Sequence, residues 1–224
     1  MLLYGFGPQL LEGLLVTVQV SVVSVCIGIV LGMAGGTAKV YGPAPLRGLA
    51  ELYTIVLRGL PELLVVLLVY YGGSWLLGLI PGWPLELKPF AAGCLALATT
   101  FGAYATEVFR GALQSIPKGQ IEAGTAIGLG RFLVFRRIIL PQVWRLALPG
   151  LGNLFLVLLK DSALVSVIGV HDLMYKADMA RTATRDSFTM FSAAAVLYLL
   201  LTAVTTAVLH VLEKRTYHGI HRPA

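Results

Sequence analysis

Residues 115–142 read "SIPKGQIEAGTAIGLGRFLVFRRIILPQ", a polar and glycine-rich stretch between strongly apolar ones. Pro117 suits the first turn of a helix, because its missing N–H would have no intrahelical partner there. Glycines at 128 and 130 permit a sharp turn after that helix. A second helical run follows and reaches Pro141, where we expect a break. The pattern therefore predicts two short helices joined by a glycine corner.

The chain around this stretch has the composition of a membrane protein. Of its 224 residues, 57% are hydrophobic and only 12% are charged, whereas soluble domains contain roughly 25% charged residues. Windows 13–38, 63–85, 89–106 and 187–212 contain no charged side chain, and window 146–170 contains only Lys160 and Asp161. Each window is close to or beyond the ~20 residues that a spanning helix needs. We predict an all-α, multi-pass membrane protein with about five transmembrane helices in a single domain, residues 1–224.

Lysine and arginine are divided unequally between the two sides of such a bundle. One set of alternate loops contains Lys39, Arg47, Arg110, Lys118, Arg131, Arg136, Arg137, Arg145, Lys214, Arg215 and Arg222, and the other contains only Lys88, Lys176, Arg181 and Arg185. Cytoplasmic loops are enriched in these residues. We therefore expect the N-terminus outside, and the C-terminus and residues 115–142 in the cytoplasm. Basic residues of a membrane protein usually set its orientation, so the formal charge of +6 does not indicate a nucleic-acid partner.

The 115–142 segment fits either of two surfaces by its charge pattern alone. A basic amphipathic helix can lie on anionic lipid. Alternatively, the small residues Ala123, Gly124 and Gly128 would let the backbone of a partner protein approach closely. A lipid-bound helix has no need of such an approach, so the small residues favour a protein partner.

This segment resembles the coupling loop, known as the EAA loop, of ABC-transporter permeases. The resemblance rests on the run "EAG" at 122–124, on Gly128, and on the ending "IILP" at 138–141. Gly124 stands where the family usually has alanine. The stretches "LRGLPELLVVLLVYYG" (57–72), "YATEVFRGALQSIPKGQ" (104–120) and "LPGLGNLFLVLLKDSALVSVIG" (148–169) are similar to permeases for polar amino acids of the histidine/arginine/ornithine group. The resemblance therefore covers nearly the whole chain.

The resemblance implies a type I ABC importer permease of the bacterial inner membrane that moves a basic amino acid by alternating access. Its partners would be two copies of a cytoplasmic ATPase, a second permease (a related chain or a second copy), and a periplasmic amino-acid-binding protein. The coupling residues would be Glu122, Ala123, Gly124, Gly128, Leu129, Ile138, Leu140 and Pro141. The sequence contains no G-x-x-x-x-G-K-[ST] phosphate-binding loop. We therefore expect no catalytic residue and no cofactor on this chain, with ATP and Mg²⁺ on the partner ATPase.

Ionisable residues inside the predicted spans are candidates for a substrate path, because such groups are costly in a membrane. They are Arg58, Glu62, Glu107, Lys160 and Asp161. Arg58 and Glu62 are four residues apart and could form an ion pair on one helix face. Either Glu62 and Asp161 contact a cationic substrate, or their basic neighbours neutralise them and the pairs hold the bundle together. Glu107, three residues before Arg110, is either half of a pair at the level of the lipid headgroups or a ligand.

Two other classes of protein compete with this interpretation. A stand-alone secondary transporter or channel would use Glu62, Glu107 and Asp161 to relay protons. Such carriers usually contain internal repeats, and we find none. A membrane-embedded metalloenzyme would need a cluster of histidine, cysteine or carboxylate ligands, which the sequence lacks, so we expect no metal site.

Overall fold

The computed structural model describes residues 2–79 and 87–216, and these residues form helices and turns without a strand. The end of the predicted 63–85 window lies outside the described residues. The first half of the chain contains α1 (Gly7–Tyr41), α2 (Ala44–Gly59), α3 (Glu62–Leu67), α4 (Gly73–Gly78) and α5 (Pro89–Gln114). The second half contains α6 (Lys118–Ala126), α7 (Arg131–Val134), α8 (Leu140–Asp161), α9 (Leu173–Thr184) and α10 (Ser187–Thr216). The all-α prediction is confirmed.

Short segments of other helix types connect some of these elements. A π-helical turn, Leu68–Gly72, joins α3 to α4, and a second one, Phe135–Ile139, joins α7 to α8. A 3-10 segment, Ser162–Ile168, continues α8. The second half therefore contains one unbroken helical run, Arg131–Ile168.

Three helices of the described residues are long and apolar enough to cross a membrane: Gly7–Tyr41, Arg131–Ile168 and Ser187–Thr216. A fourth crossing results if Ala44–Gly59 and Glu62–Gly78, which meet at 112°, count as one bent span. The remaining predicted span, α5, has 26 residues, many of them alanine, glycine and threonine. Most of α5 is buried by other helices, so it meets protein more than lipid. The count of five spans and the orientation stay predictions.

The packing of α1 against α5 is the most extensive in the fold. Glycines at 28, 32 and 36 recur every four residues and so lie on one face of α1. A Cβ atom added at Gly32 would lie 2.5 Å from the Cβ atom of Ala105 on α5. The two backbones are therefore as close as the smallest side chains allow, which is a common way for helices to associate in lipid.

The bend between α2 and α3 is caused by Pro61. Pro61 lacks an N–H group, and the residue before a proline is sterically driven out of the α conformation. Leu60 is accordingly extended (φ −98°, ψ 144°), and α2 ends at Gly59. Arg58 and Glu62 therefore lie on different helices. The predicted ion pair between them is wrong, because the described residues show no salt bridge that joins the two side chains.

Asp172 joins α9 to α1 outside the apolar spans. Its Oδ1 atom accepts a hydrogen bond of 3.0 Å from the N–H of Tyr175 and so caps α9. The next residue, Leu173, donates its N–H to Oγ1 of Thr17 on α1 at 3.1 Å. Oδ2 of Asp172 and the hydroxyl of Tyr198 are buried, and neither has a hydrogen-bond partner among the described residues. Burial raises the pKa of the Asp172 carboxyl to about 6.

Replacing Gly32 with alanine should destabilise the fold, because the new methyl group would overlap Ala105. Overpacking of this kind costs roughly 1–3 kcal/mol. Gly48→Ala is the matched control, since Gly48 lies in α2 with open space around it, and alanine is the better helix former. Thermal unfolding in detergent should show a lower midpoint for Gly32→Ala alone. Equal midpoints would show that the close contact does not hold α1 and α5 together.

The Asp172 carboxyl should make stability depend on pH. Its pKa is higher in the folded than in the unfolded chain, so the folded state binds the proton more tightly and loses this stabilisation as pH rises through about 6. Acidification from about pH 7.5 to about pH 5.5 should therefore stabilise the wild type by roughly 1 kcal/mol relative to Asp172→Asn. Asparagine still caps a helix, which preserves α9. Parallel pH dependence of the two unfolding midpoints would contradict this assignment.

Candidate functional site

Glu62 and Asp161, two of the predicted substrate-path residues, line one small cavity. Glu62 begins α3 directly after the bend at Pro61, and Asp161 ends α8. Residues of α5, including Thr100 and Tyr104, complete the wall. The cavity volume is about 30 Å³, which leaves room for no more than a few water molecules. The cavity is therefore closed to an amino acid in this conformation, and the helices would have to separate to admit one.

Neither carboxylate in this cavity has a salt-bridge partner within the described part of the chain. Lys160 adjoins Asp161 in the sequence, but its side chain is exposed and makes no salt bridge with it. No described residue that lines the cavity is basic. In the described structure the basic neighbours of Glu62 and Asp161 therefore form no close ion pair with them, and the choice between a substrate contact and a structural role stays open. Across 2–79 and 87–216, no group of three or more histidine, cysteine or acidic residues could hold a metal ion.

Tyr104 lines this cavity and also a second, larger one. The guanidinium carbon of Arg58 lies 5.4 Å from the centre of the Tyr104 ring, within the range of a cation–π interaction. The second cavity has a volume of about 480 Å³ and is lined by Arg58, Tyr104, Glu51 and Glu107. Arg58 therefore contacts Tyr104 but is not among the described residues that line the cavity of Glu62 and Asp161.

Lys39 binds three helices together beside the second cavity. Its Nζ atom lies 2.6 Å from Oε1 of Glu107 on α5 and 2.9 Å from Oε2 of Glu51 on α2, and it donates to Oγ1 of Thr54 at 2.6 Å. Arg110 lies 2.7 Å from the other carboxylate oxygen of Glu107. The carboxylate of Glu107 thus contacts two cations, unlike those of Glu62 and Asp161. The prediction that Lys39 lies in a loop is wrong, because it belongs to the last turn of α1 and its side chain is only 3% exposed.

The glycine corner of the 115–142 segment has the geometry of a Schellman motif. Gly128 adopts a left-handed conformation with φ +83°, which residues other than glycine rarely adopt. Its N–H donates to the carbonyl of Thr125 at 2.9 Å, and the N–H of Leu129 donates to the carbonyl of Gly124 at 3.1 Å. These two bonds satisfy carbonyls at the end of α6. The predicted corner between two helices is therefore confirmed.

The second helix of this segment does not break at Pro141, so that expectation is wrong. The π-helical turn Phe135–Ile139 precedes the proline, and the helical run continues to Ile168. In a π-helical turn the hydrogen bonds span five residues instead of four. The helix therefore continues past Pro141 although this residue lacks the N–H group of an α-helical hydrogen bond. The segment is thus directly continuous with the helix that carries Asp161.

The eight predicted coupling residues divide into an exposed and a packed group. Glu122, Ala123, Gly128 and Pro141 are exposed, whereas Gly124 is buried and Leu129, Ile138 and Leu140 are half-buried. A Cβ atom at Gly124 would lie 2.6 Å from Cδ1 of Ile138, so this glycine allows the two helices of the segment to approach each other. The expectation that Gly124 is bare for a partner is therefore wrong, and it stays open for Ala123 and Gly128.

Two large apolar side chains at the corner were not among the predicted coupling residues. Ile127 and Phe132 flank the corner and are 77% and 72% exposed. In the sequence these two residues can be recognised because they are apolar and stand on either side of the glycines of a polar segment. Gly128, with open space where its side chain would be, lies between them in the chain. We name Ile127, Gly128 and Phe132 the corner tip.

Comparisons with known proteins agree with this architecture. Residues 24–218 match the family described as "Binding-protein-dependent transport system inner membrane component". The chain is 41% identical over 231 residues to the octopine transport system permease protein OccQ of Rhizobium radiobacter, covering 98% of this chain and 97% of that protein. It is 39% identical over 226 residues to the histidine/lysine/arginine/ornithine transport system permease protein HisQ of Escherichia coli, covering 99% of each. A crystal structure of an amino acid ABC transporter with histidines has a TM-score of 0.79 at 34% identity, covering 93% of this chain and 94% of that one.

These matches extend over the cavity of Glu62 and Asp161 as well as the corner tip. They confirm the expected type I importer permease fold and favour it over a stand-alone secondary transporter or channel. The chain belongs to the family of inner membrane components of binding-protein-dependent transport systems, as a permease subunit of an ABC transporter and not an enzyme.

Proposed function

We propose that this permease imports a basic amino acid and that Glu62 and Asp161 bind its cationic side chain during passage. The observation that carries the proposal is the cavity with two carboxylates, no basic lining residue and no salt bridge. Both carboxylates are half-buried, and because removing a charge from water without a partner is costly, the two groups favour the entry of a cation. The name of HisQ, which includes histidine, lysine, arginine and ornithine, supports this substrate class.

Tyr104 supports the preference for a cation. One side of this residue already lies within 5.4 Å of the guanidinium of Arg58, and the residue also lines the cavity of Glu62 and Asp161. A guanidinium or ammonium group over an aromatic ring is attracted by the negative face of the ring. Arg58 supplies that cation inside the protein when no substrate is bound. Glu107 has a lesser role in binding, since Lys39 and Arg110 already occupy its carboxylate.

The assembly that fits this permease lies in the bacterial inner membrane. Two copies of a cytoplasmic ATPase hold ATP and Mg²⁺, a second permease chain completes the pathway, and a periplasmic amino-acid-binding protein delivers the substrate. The second permease is either a related chain or a second copy of this one. The corner tip docks on the ATPase, because its exposed apolar side chains are the kind that protein interfaces bury.

The helical run Arg131–Ile168 provides a mechanical connection between docking and transport. Phe132, at the corner tip, and Asp161, in the cavity, belong to this same run. At 1.5 Å per residue the two positions are about 44 Å apart along the helix. A displacement of the corner tip by the ATPase therefore moves one wall of the cavity. Alternating access follows if that wall approaches α5 in one state and separates from it in the other.

Replacing Asp161 with asparagine should reduce uptake of arginine far more than uptake of a neutral amino acid. A hydrogen bond to a charged group contributes about 1.5–3 kcal/mol, which predicts a loss of roughly 10–100-fold. Uptake would be measured in proteoliposomes that contain the assembled transporter and a binding protein that delivers both substrates. Asp161→Glu, which keeps the charge, and Asp178→Asn, on the exposed side of α9, are the controls. Equal losses for the two substrates would exclude contact between Asp161 and the cationic group.

Gly128→Asp should leave the chain in the membrane but abolish both ATPase docking and uptake. An aspartate at φ +83° is strained by roughly 1–2 kcal/mol, and its charge would lie between the apolar side chains of the corner tip. Gly119→Asp is the matched control, because Gly119 also belongs to α6 and has open space but no positive φ. Co-purification of the ATPase and uptake would be measured together. Normal docking and uptake in Gly128→Asp would instead identify the segment as a helix on the lipid surface.

A further inference from the structure

The second cavity, between α2 and α5, lies outside the cavity in which we propose that the substrate binds. It has a volume of about 480 Å³, within the range of roughly 300–1,000 Å³ that is typical of small-molecule sites. It is largely open, so a molecule can enter and leave it without a movement of the helices. Its lining includes Glu51, Thr54, Ile55 and Arg58 of α2, and Tyr104 and Glu107 of α5.

The α2 wall of this cavity has an acidic end and a basic end. Glu51 and Arg58 are seven residues apart, which places them on the same face of the helix and about 10.5 Å apart along its axis. Thr54 and Ile55 lie between them on that face. A molecule that lies along this wall therefore meets a carboxylate at one end and a guanidinium at the other.

The guanidinium of Arg58 is suited to bind a carboxylate. Among the described residues it makes no salt bridge. Its guanidinium carbon lies 5.4 Å from the centre of the Tyr104 ring, a contact that uses no oxygen acceptor. The side chain is exposed, and a guanidinium presents a planar fork of N–H donors that matches the two oxygens of a carboxylate.

The two carboxylates of the cavity differ in how strongly they are paired. Glu107 contacts Lys39 at 2.6 Å and Arg110 at 2.7 Å, and its side chain is 21% exposed. Glu51 makes one salt bridge within the described residues, to Lys39 at 2.9 Å, and its side chain is 57% exposed. Because an exposed ion pair contributes little stability, a cationic ligand can share Glu51 with Lys39. Glu51 is therefore the carboxylate that a ligand can reach.

Tyr104 connects the two cavities, because it lines both. Glu107 is three residues later on α5 and so about 4.5 Å closer to the C-terminal end of this helix. The distribution of lysine and arginine predicts that this end of α5 faces the cytoplasm. With that orientation the second cavity lies on the cytoplasmic side of the first, and a substrate that leaves Glu62 and Asp161 for the cytoplasm passes it.

We propose that the second cavity is a release subsite for a basic amino acid, with the α-carboxylate at Arg58 and the cationic side chain at Glu51. This inference rests on the proposed function, from which it takes the substrate class. A basic amino acid has opposite charges at its two ends and so complements both ends of the α2 wall. A neutral amino acid would leave Glu51 without a ligand, and a dicarboxylate would be repelled by it. Lys39 competes with the ligand for Glu51, so binding is weak, as release requires.

Ligand-observed NMR of the assembled transporter in nanodiscs, without the binding protein, tests the subsite. An Asp161→Asn background disables the cavity proposed for substrate binding. The probes are arginine, argininamide (which lacks the α-carboxylate) and citrulline (which lacks the charge of the side chain). Arginine should bind about 2–5-fold more tightly than either analogue, which is the effect of one exposed ion pair. Arg58→Gln should remove only the preference over argininamide, and Glu51→Gln only the preference over citrulline.

Arg47→Gln and Glu12→Gln are the matched controls. Arg47 is an exposed arginine of α2 that does not line the cavity. Glu12 is 67% exposed, and its salt bridge is also to a lysine, Lys176. Both variants should keep both preferences. Ile55→Trp fills the cavity without a change of charge and should weaken the binding of arginine. Because Ile55 is 63% exposed, this substitution leaves the packed core intact.

Unchanged preferences in Arg58→Gln and Glu51→Gln would overturn the release subsite. A complete loss of arginine binding in the Asp161→Asn background would also overturn it, because no second site would then exist. Tight binding of arginine that is unchanged by Asp161→Asn would instead contradict the proposed function. In that case the preferences in the Arg58 and Glu51 variants would still decide for or against the second cavity.

Transport measurements test whether the subsite is reached from the cytoplasm. In proteoliposomes, arginine on the side of the ATPase should inhibit uptake of labelled arginine, because it occupies the subsite through which the substrate leaves. Glu51→Gln should raise the half-inhibitory concentration about 2–5-fold, and Glu12→Gln should leave it unchanged. Equal inhibition of the wild type and Glu51→Gln would overturn the role in release.

Discussion

The close approach of α1 and α5 is the constraint on which the rest of the structure depends. In lipid there is no hydrophobic force between helices, so their association relies on packing and on internal polar contacts. Gly32 supplies the packing, and Lys39 supplies the polar contact through Glu107. Because α5 is held in this way, its residues Thr100 and Tyr104 are fixed in position. Glu62 of α3 and Asp161 of α8 line the same cavity as these two residues.

Two groups of carboxylates lie beside α5, namely Glu107 and the pair Glu62 and Asp161. They differ in whether they form salt bridges with basic side chains. Around Glu107, two cations approach one carboxylate within 2.7 Å, which neutralises the group and fastens three helices. Around Glu62 and Asp161 no basic side chain completes the arrangement. Both carboxylates are half-buried, and partial burial of a charge without a salt-bridge partner is costly. The salt bridges of Glu107 therefore join helices, whereas Glu62 and Asp161 are the residues that we propose for substrate binding.

The sequence was sufficient for the fold class and for the glycine corner, because both depend on local pattern. Apolar windows of membrane length and a glycine at the end of a helix are visible without knowledge of contacts. The partners of charged residues were not predictable in this way. Arg58 and Glu62 have the spacing of an ion pair, but the Pro61 bend separates them. Lys39 has no neighbour in sequence that reveals its contacts with Glu51 and Glu107. The shared cavity of Glu62 and Asp161 likewise depends on how distant helices pack.

The π-helical turn Phe135–Ile139 determines how the side chains on either side of it are oriented around the axis of the long helix. A π turn accommodates one residue more than an α turn, and each residue of an α-helix turns the chain by about 100°. Side chains before and after the turn are thus offset relative to a single helical wheel drawn through the whole run. Because the π turn absorbs one extra residue, loss of one residue within it leaves a regular α-helix whose two ends face as they do now, whereas loss of one residue elsewhere in the run rotates the corner tip by about 100° relative to Asp161.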